Sequence, residues 1–388
     1  MTTAYLSQRT HIYRRSDRVN AHNIWRSALL AGSATALVAF GVTGCGSDGE
    51  TAPSSVAAGS EADCAGANNL TAEGSTAQQN AVGVFNKLWG QVCPGKNLSY
   101  NPTGSGAGVS QFVAGNVDIA GSDSPMDEEQ VAAAAKRCEN NPAWHLPLVF
   151  GPVALAYNLP GVDNLAVSPT VLAKVFTGAI SKWNDPALAE LNPGVELPDS
   201  AITPIYRSDS SGTTDNFQKY LAAAAPAEWT KGAGKEFQGG AGEGAQKSAG
   251  VVQAVQATPG AIGYVEKGFA DQAGLSVAAV DNGGGPVALT EEATKTAIAG
   301  ATFVGEGNDL VLDLNSLYAS TEPGAYPLVL VTYNIVCSKG YPADVAEAAK
   351  SFLTVSANQG QDGLNDIGYV ALPDAVKERL LTAAAAIQ

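Results

Sequence analysis

From about residue 68 onward the chain alternates short apolar runs with segments of helical spacing, and this alternation limits the possible folds more than any other feature. Val82, Phe85, Leu88 and Trp89 recur at helical spacing within residues 79–89, and a short strand is expected at 98–100. Residues 109–114 suit a helix and 117–120 a buried strand. The segment 128–137 starts acidic and ends basic, as the helix macrodipole favours. Residues 146–157 form a long apolar run that Gly151-Pro152 divides. Further helices are expected at 169–176, 214–224 and 343–356, and further strands at 202–206, 262–265 and 328–336. Glycine-rich stretches at 232–250 and 282–285 read as surface loops. Strands alternating with helices imply an α/β architecture with mainly parallel sheets. The 388 residues are enough for two domains.

The first 44 residues follow a different pattern. They hold five Arg and a single Asp, and a mostly apolar run covers residues 28–42. That run is shorter than the roughly 20 residues a membrane-spanning helix needs, so the segment reads as an export signal. Val42-Thr43-Gly44-Cys45 follows it directly. An apolar residue, two small ones and Cys resemble the lipobox of bacterial lipoproteins. The resemblance implies cleavage before Cys45 and diacylation of its thiol. Residues 46–63 are Gly, Ser, Ala and acidic residues with little apolar bulk, a composition suited to a flexible tether. The expected organisation is a signal over 1–44, then a lipidated Cys with its tether over 45–67, then a folded body. The chain would thus be held at the cell membrane, on its extracytoplasmic face.

Removing the signal leaves 17 basic and 36 acidic residues, a net charge of −19. So acidic a body argues against nucleic acid, and against any membrane contact beyond the lipid. Cys64, Cys93, Cys138 and Cys337 remain for the body. In an exported chain they suggest two disulfides with three possible pairings. Cys93–Cys138 is the favoured pair, because both follow expected helices ahead of expected strands.

Three segments place Gly, Ser and Thr where a helix is about to begin. They are Gly74-Ser75-Thr76-Ala77-Gln78, Thr103-Gly104-Ser105-Gly106-Ala107-Gly108, and Arg207-Ser208-Asp209-Ser210-Ser211-Gly212-Thr213. The first N–H groups of a helix lack internal partners, and the dipole favours negative charge there. Hydroxyls at such positions cap the helix or donate to an anion. Three such segments, one carrying Arg, can converge on one tetrahedral anion.

These segments, with Ala120-Gly121-Ser122-Asp123, resemble the ordered signatures of the periplasmic phosphate-binding proteins. The likeness continues through Trp183-Asn184-Asp185-Pro186, Leu191-Asn192-Pro193-Gly194, Pro259-Gly260-Ala261-Ile262-Gly263-Tyr264 and Tyr369-Val370-Ala371-Leu372-Pro373, and so covers nearly all of residues 68–388. Gly-Ser-Thr-Ala-Gln-Gln and the lipobox are most similar to the actinobacterial, mycobacterial-type lipoprotein branch. The resemblance implies a class II-like periplasmic-binding fold, in which two α/β lobes with mixed, mainly parallel sheets are joined by two hinge strands. Lobe one would hold residues 68–154 and 331–388 and lobe two 155–330, with hinges near Leu155 and Leu330. It also implies capture of inorganic phosphate, as a monomer, for delivery to the permease of an ABC importer. By the same resemblance Thr76 supplies a hydroxyl, Ala77 a backbone N–H and Ser105 a hydroxyl. Asp123 accepts the ligand's proton. Arg207 provides the one full positive charge, with Asp209 holding its guanidinium, and Ser211, Gly212 and Thr213 donate from a helix N-terminus. Ser210 stands where relatives often have Gly.

The chemistry of these groups suits phosphate. Arg offers a rigid fork to two oxygens. An ionised Asp only accepts hydrogen bonds, so it requires a ligand that still carries a proton and repels fully ionised sulfate. Other readings are weaker. Residues 90–97 nearly match a P-loop, but Asn97 stands where Ser or Thr should hold magnesium. A Ser-His-Asp hydrolase has only His145 to use once the signal is removed. No C-x-x-C or H-x-x-x-H spacing supports a metal, and no cofactor is expected. A phosphomonoesterase built on this fold, or a surface adhesin, are the other classes considered; the chain is read as a binding protein without catalysis.

Overall fold

The computed structural model describes residues 63–388. The signal, Cys45 and most of the tether lie outside the described residues. A nine-stranded mixed sheet forms the frame, in the order Asn97–Pro102, Asn69–Gly74, Ile119–Ser122, Val329–Cys337, Ala143–Asn158, Ala261–Glu266, Thr203–Arg207, Glu243–Ala245, with Ser276–Val277 pairing beside Ala143–Asn158. Parallel pairs lie at both ends of this order, and antiparallel pairs join them through the centre.

The centre explains a departure from the sequence reading. Gly151-Pro152 does not break the apolar run; residues 143–158 form one 16-residue strand. Its first part pairs with Val329–Cys337, from Cys337↔Ala143 to Val329↔Pro152. From Val153↔Glu266 onward it pairs with Ala261–Glu266 instead. Gly151-Pro152 thus marks where one strand passes between two sheet halves, and a missing N–H is tolerated at such a change of partner. Pro147 has a similar effect. Tyr333 pairs with Pro147 but Thr332 with Val149, so Leu148 is an extra residue in a bulge.

Helices cover both halves. Gln79–Val92, Ser105–Val113, Glu128–Arg137 and Ala343–Asn358 flank the first half. Phe85, Trp89, Phe112, Phe150, Phe352 and Leu380 are fully buried in its core. Glu128–Arg137 carries a capping box between Asp127 and Gln130, with acidic residues in its first turn and basic ones in its last. A second core holds Phe176, Trp183, Phe217, Tyr220 and Tyr264, and a smaller third one Ile205, Val251 and Val255. The stretch expected as a loop at 232–250 includes the strand Glu243–Ala245 and the start of the helix Lys247–Ala257. Glycines there hid an element whose Val251, Val252 and Val255 are buried.

The disulfides are Cys64–Cys93 and Cys138–Cys337, not Cys93–Cys138. Cys138 ends its helix five residues before Ala143, and Ala143 is the sheet partner of Cys337. Pairing across the sheet therefore brings Cys337 to Cys138, a long-range contact that local element order does not reveal. The near P-loop has a structural use: Lys96 Nζ donates to the carbonyls of Ala65, Gly66 and Ala67 at 2.8, 2.6 and 2.9 Å. His145 is a packing residue. Its Nε2 accepts from the Met126 N–H at 3.0 Å and its Nδ1 lies 2.8 Å from Asp309 Oδ1.

Glu266 ends its strand where the two halves meet. Its Oε1 accepts from the Gly268 N–H at 2.7 Å, while Oε2 is buried and has no hydrogen-bond partner among the described residues. Burial pushes its carboxyl well above the ordinary range. The folded state therefore binds a proton that the unfolded chain releases, and stability falls as pH rises from the ordinary carboxylate range through the folded value. Glu266→Gln is expected to flatten this fall by one proton; urea midpoints between pH 5 and 8 check it. An unchanged slope would assign the proton elsewhere.

Candidate anion-binding site

The residues singled out in the sequence converge at the carboxyl ends of strands, where ligands sit in open α/β sheets. Ser75 and Thr76 follow Asn69–Gly74, Gly104 and Ser105 follow Asn97–Pro102, Asp123 follows Ile119–Ser122, and Arg207 ends Thr203–Arg207. Thr76, Ser105, Asp123, Arg207, Ser211 and Thr213 are all buried. Neither Thr76 nor Ser105 is a helix cap: Gln78 and Gly104 hold the N-cap positions of Gln79–Val92 and Ser105–Val113, and neither helix has a side-chain cap bond.

Asp123, 2% exposed, is the centre of the arrangement. Its Oδ1 accepts from Ser75 Oγ at 2.5 Å and Thr332 Oγ1 at 3.1 Å. Its Oδ2 faces Ser105 Oγ and Thr213 Oγ1, both at 3.4 Å. Its N–H donates to Ser105 Oγ at 3.2 Å, and its carbonyl accepts from Asn216 Nδ2 at 2.7 Å. Burial raises the Asp123 carboxyl, against the lowering effects of Ser75, Thr332, the Arg207 charge and Ser105.

Arg207, 3% exposed, forms a two-pronged pair with Asp209. Its Nε donates to Oδ1 at 2.7 Å and its Nη2 to Oδ2. Asp209 Oδ1 also accepts from the Lys247 N–H at 2.9 Å. Burial opposes the Asp209 charge, but its bond and charge pairing with Arg207 outweigh burial and hold the carboxyl below its ordinary range. The pair is therefore a fixed device and not a surface ion pair. Tyr264 supports it from behind, accepting from the Arg207 N–H at 3.2 Å and meeting Thr214 Oγ1 at 2.8 Å.

Ser211 is the N-cap of Gly212–Ala224, its Oγ accepting from the Thr214 N–H at 3.2 Å. Its own N–H donates to the Lys235 carbonyl at 2.9 Å, which leaves the hydroxyl as its donor toward a ligand. The N–H groups of Gly212 and Thr213 are the first of the helix and have no partner in its ladder. Only glycine fits at 212, because a Cβ there would stand 2.6 Å from Ser105 Oγ and 2.8 Å from Asp123 Cβ. Gly104, at φ 109°, leaves similar room for Asp209 and Ser210. The Ala77 N–H is directed at Ser75 Oγ, 3.0 Å away.

Three further residues belong to the cluster and escaped the sequence reading. Ser75 was part of a quoted motif without a role. Thr332 lies in an apolar strand, and a polar residue in that run was the available signal. Ser248 lay hidden in the glycine-rich stretch; its Oγ meets Thr76 Oγ1 at 2.8 Å and its N–H donates to the same oxygen at 3.3 Å. Thr76 is thereby tied to a residue 172 positions away. Among the described residues no group of three or more His, Cys, Asp or Glu is placed to hold a metal ion.

The family model of the PBP superfamily domain matches residues 54–359. The chain is 47% identical over 363 residues to the phosphate-binding protein PstS 3 of Mycobacterium leprae, covering 92% of this chain and 98% of that protein. It is 44% identical over 366 residues to the phosphate-binding protein PstS 2 of Mycobacterium tuberculosis, with the same coverage. Among solved structures, a high-affinity periplasmic phosphate-binding protein bound with phosphate at pH 8.5 shares the fold at a TM-score of 0.64 and 22% identity, over 81% of this chain and 93% of that one. With relatives this similar along nearly its whole length, the chain belongs to the PstS family of phosphate-binding proteins.

Proposed function

We propose that the protein captures inorganic phosphate in the cleft between two lobes, outside the cytoplasm, and delivers it to the permease of an ABC importer. The observation that carries this reading is the buried Asp123 carboxylate, set among hydroxyls beside the Arg207–Asp209 pair. Thr76, Ser105, Ser211, Gly212 and Thr213 supply neutral donors and Arg207 the charge, while the Ala77 N–H acts through Ser75 Oγ, to which it donates. The ionised Asp123 accepts a hydrogen bond from the O–H of monohydrogen or dihydrogen phosphate. The lobes take residues 68–154 with 331–388, and 155–330. Leu155 and Leu330 lie on the two central strands, which suits them to hinge the lobes. Cys45 carries the lipid that holds a monomeric protein at the membrane. Binding and release suffice for this role, without a catalytic step.

Calorimetric titration of the purified protein, stripped of trace phosphate, tests the reading with phosphate and then sulfate. One-to-one phosphate binding without a sulfate response supports it; no response to either anion removes it. Asp123→Asn tests the selectivity. An amide no longer repels an ionised oxyanion, so the preference for phosphate over sulfate is expected to fall at least about tenfold, the ratio for ~1.4 kcal/mol. Unchanged selectivity would remove Asp123 from its role.

A further inference from the structure

The two oxygens of Asp123 are not equivalent. Oδ2 faces Ser105 and Thr213, which belong to the ligand-facing set, at a long 3.4 Å each. Oδ1 takes the shorter contacts, from Ser75 at 2.5 Å and Thr332 at 3.1 Å. A carboxylate oxygen has about two acceptor positions, so these two hydroxyls fill Oδ1 and leave Oδ2 to the ligand.

Both donors are held in place. Ser75 Oγ accepts from the Ala77 N–H at 3.0 Å and its backbone N–H donates to the Gly121 carbonyl at 2.9 Å, so its single proton is left for Asp123. Thr332 sits in the central strand opposite Val149, where the Leu148 bulge of the partner strand shifts the register between Thr332 and Tyr333. Ser75 and Thr332 are fully buried, so bulk water does not stand in for either hydroxyl.

We propose that Ser75 and Thr332 are positioning residues that keep Asp123 ionised and turned so that only Oδ2 meets the ligand, and that they thereby set the pH at which the site stops rejecting fully ionised anions. The inference rests on Asp123 as the acceptor of the ligand's proton. A protonated Asp123 would itself donate, and sulfate would then meet a donor in place of a like charge. The ionisable groups that interact with Asp123 are Arg207, Glu266, Tyr100, Tyr318 and Tyr369. Burial pushes Glu266 and the three tyrosines toward their neutral forms. The hydrogen bonds from Ser75 and Thr332 counter the burial of Asp123 more than the Arg207 charge or Ser105 does.

The test is phosphate binding and sulfate competition from pH 5 to 8, on the full chain and on Ser75→Ala, Thr332→Val, their combination, Thr332→Ser and Asp123→Asn. Phosphate keeps at least one proton across this range. The combined variant is expected to admit sulfate at a pH about one unit or more above wild type, from the usual strength of a hydrogen bond to a charged group. Ser75→Ala alone should shift in the same direction, which covers the case in which the combination does not fold. Thr332→Ser keeps the hydroxyl and should retain the wild-type profile. In an Asp123→Asn background the Ser75 and Thr332 substitutions should move nothing. Profiles that superimpose on wild type while phosphate still binds would overturn the inference, as would a shift that persists without Asp123. A wild-type protein that binds no phosphate would remove the proposed function itself, so the two failures are distinguishable.

Discussion

Arg207→Ala is expected to weaken phosphate binding by about 30- to 1,000-fold, some 2–4 kcal/mol, while Ala77→Gly stays within about threefold. Arg207 is 3% exposed, and its fork is already fixed by Asp209, so little side-chain freedom is left to lose when an anion arrives. Its removal does more than delete one donor. It leaves the Asp209 carboxylate without its partner beside the site, where a second negative charge opposes any anion ligand. Lys247 contributes only its backbone N–H to Asp209 and does not restore the charge. Ala77→Gly, by contrast, keeps the N–H and removes one methyl group. Calorimetric titration of both variants checks the ranking, and equal losses would refute it. A second readout follows from Asp209. Its carboxyl is held low in the folded protein, so the pair's stabilisation is present above the ordinary carboxylate range and disappears as pH falls through the depressed value. The variant should lose this acid-side dependence together with its affinity.

Much of this site was legible because its parts are local. Ser105, Arg207 and Ser211 each sit in a Gly/Ser/Thr segment that opens a helix, and helix N-termini attract anions for reasons that a short sequence window reveals. Asp123 was legible through its motif. Ser75, Thr332 and Ser248 were not, because their roles come from pairing at separations of 48, 209 and 172 residues. The same reason explains the fold. The expected elements at 128–137, 169–176 and 343–356 stand in the structure within two residues, since capping and periodicity are local. Gly151-Pro152 misled, because its signal for a break is local while the exchange of sheet partners that accommodates it is not.

The disulfides are the plainest case of long-range information, and they support the second large expected effect. Removing Cys138–Cys337 by Cys138→Ala/Cys337→Ala should lower stability by about 5 kcal/mol, against about 3.5 kcal/mol for Cys64→Ala/Cys93→Ala. The difference follows from the loops they close, with separations of 199 and 29 residues. In the chain-entropy account, the longer loop restricts the unfolded chain more. The local setting points the same way. Cys138 and Cys337 are fully buried, and Arg137 Nη1 donates to Cys337 Sγ at 3.0 Å while its guanidinium lies 4.6 Å from the Phe112 ring and 5.2 Å from that of Tyr341. Losing the sulfur leaves that cation short of a contact as well. Phosphate affinity should change little in the folded variant, since Cys337 lies five residues beyond Thr332 on its strand, about 17 Å along. Denaturant midpoints under non-reducing conditions, with a titration of each folded variant, separate the two effects. A larger stability loss from Cys64–Cys93 would contradict the loop argument, and a large loss of affinity in the Cys138/Cys337 variant would show that this crosslink helps hold the central strand in the register that presents Thr332 to Asp123.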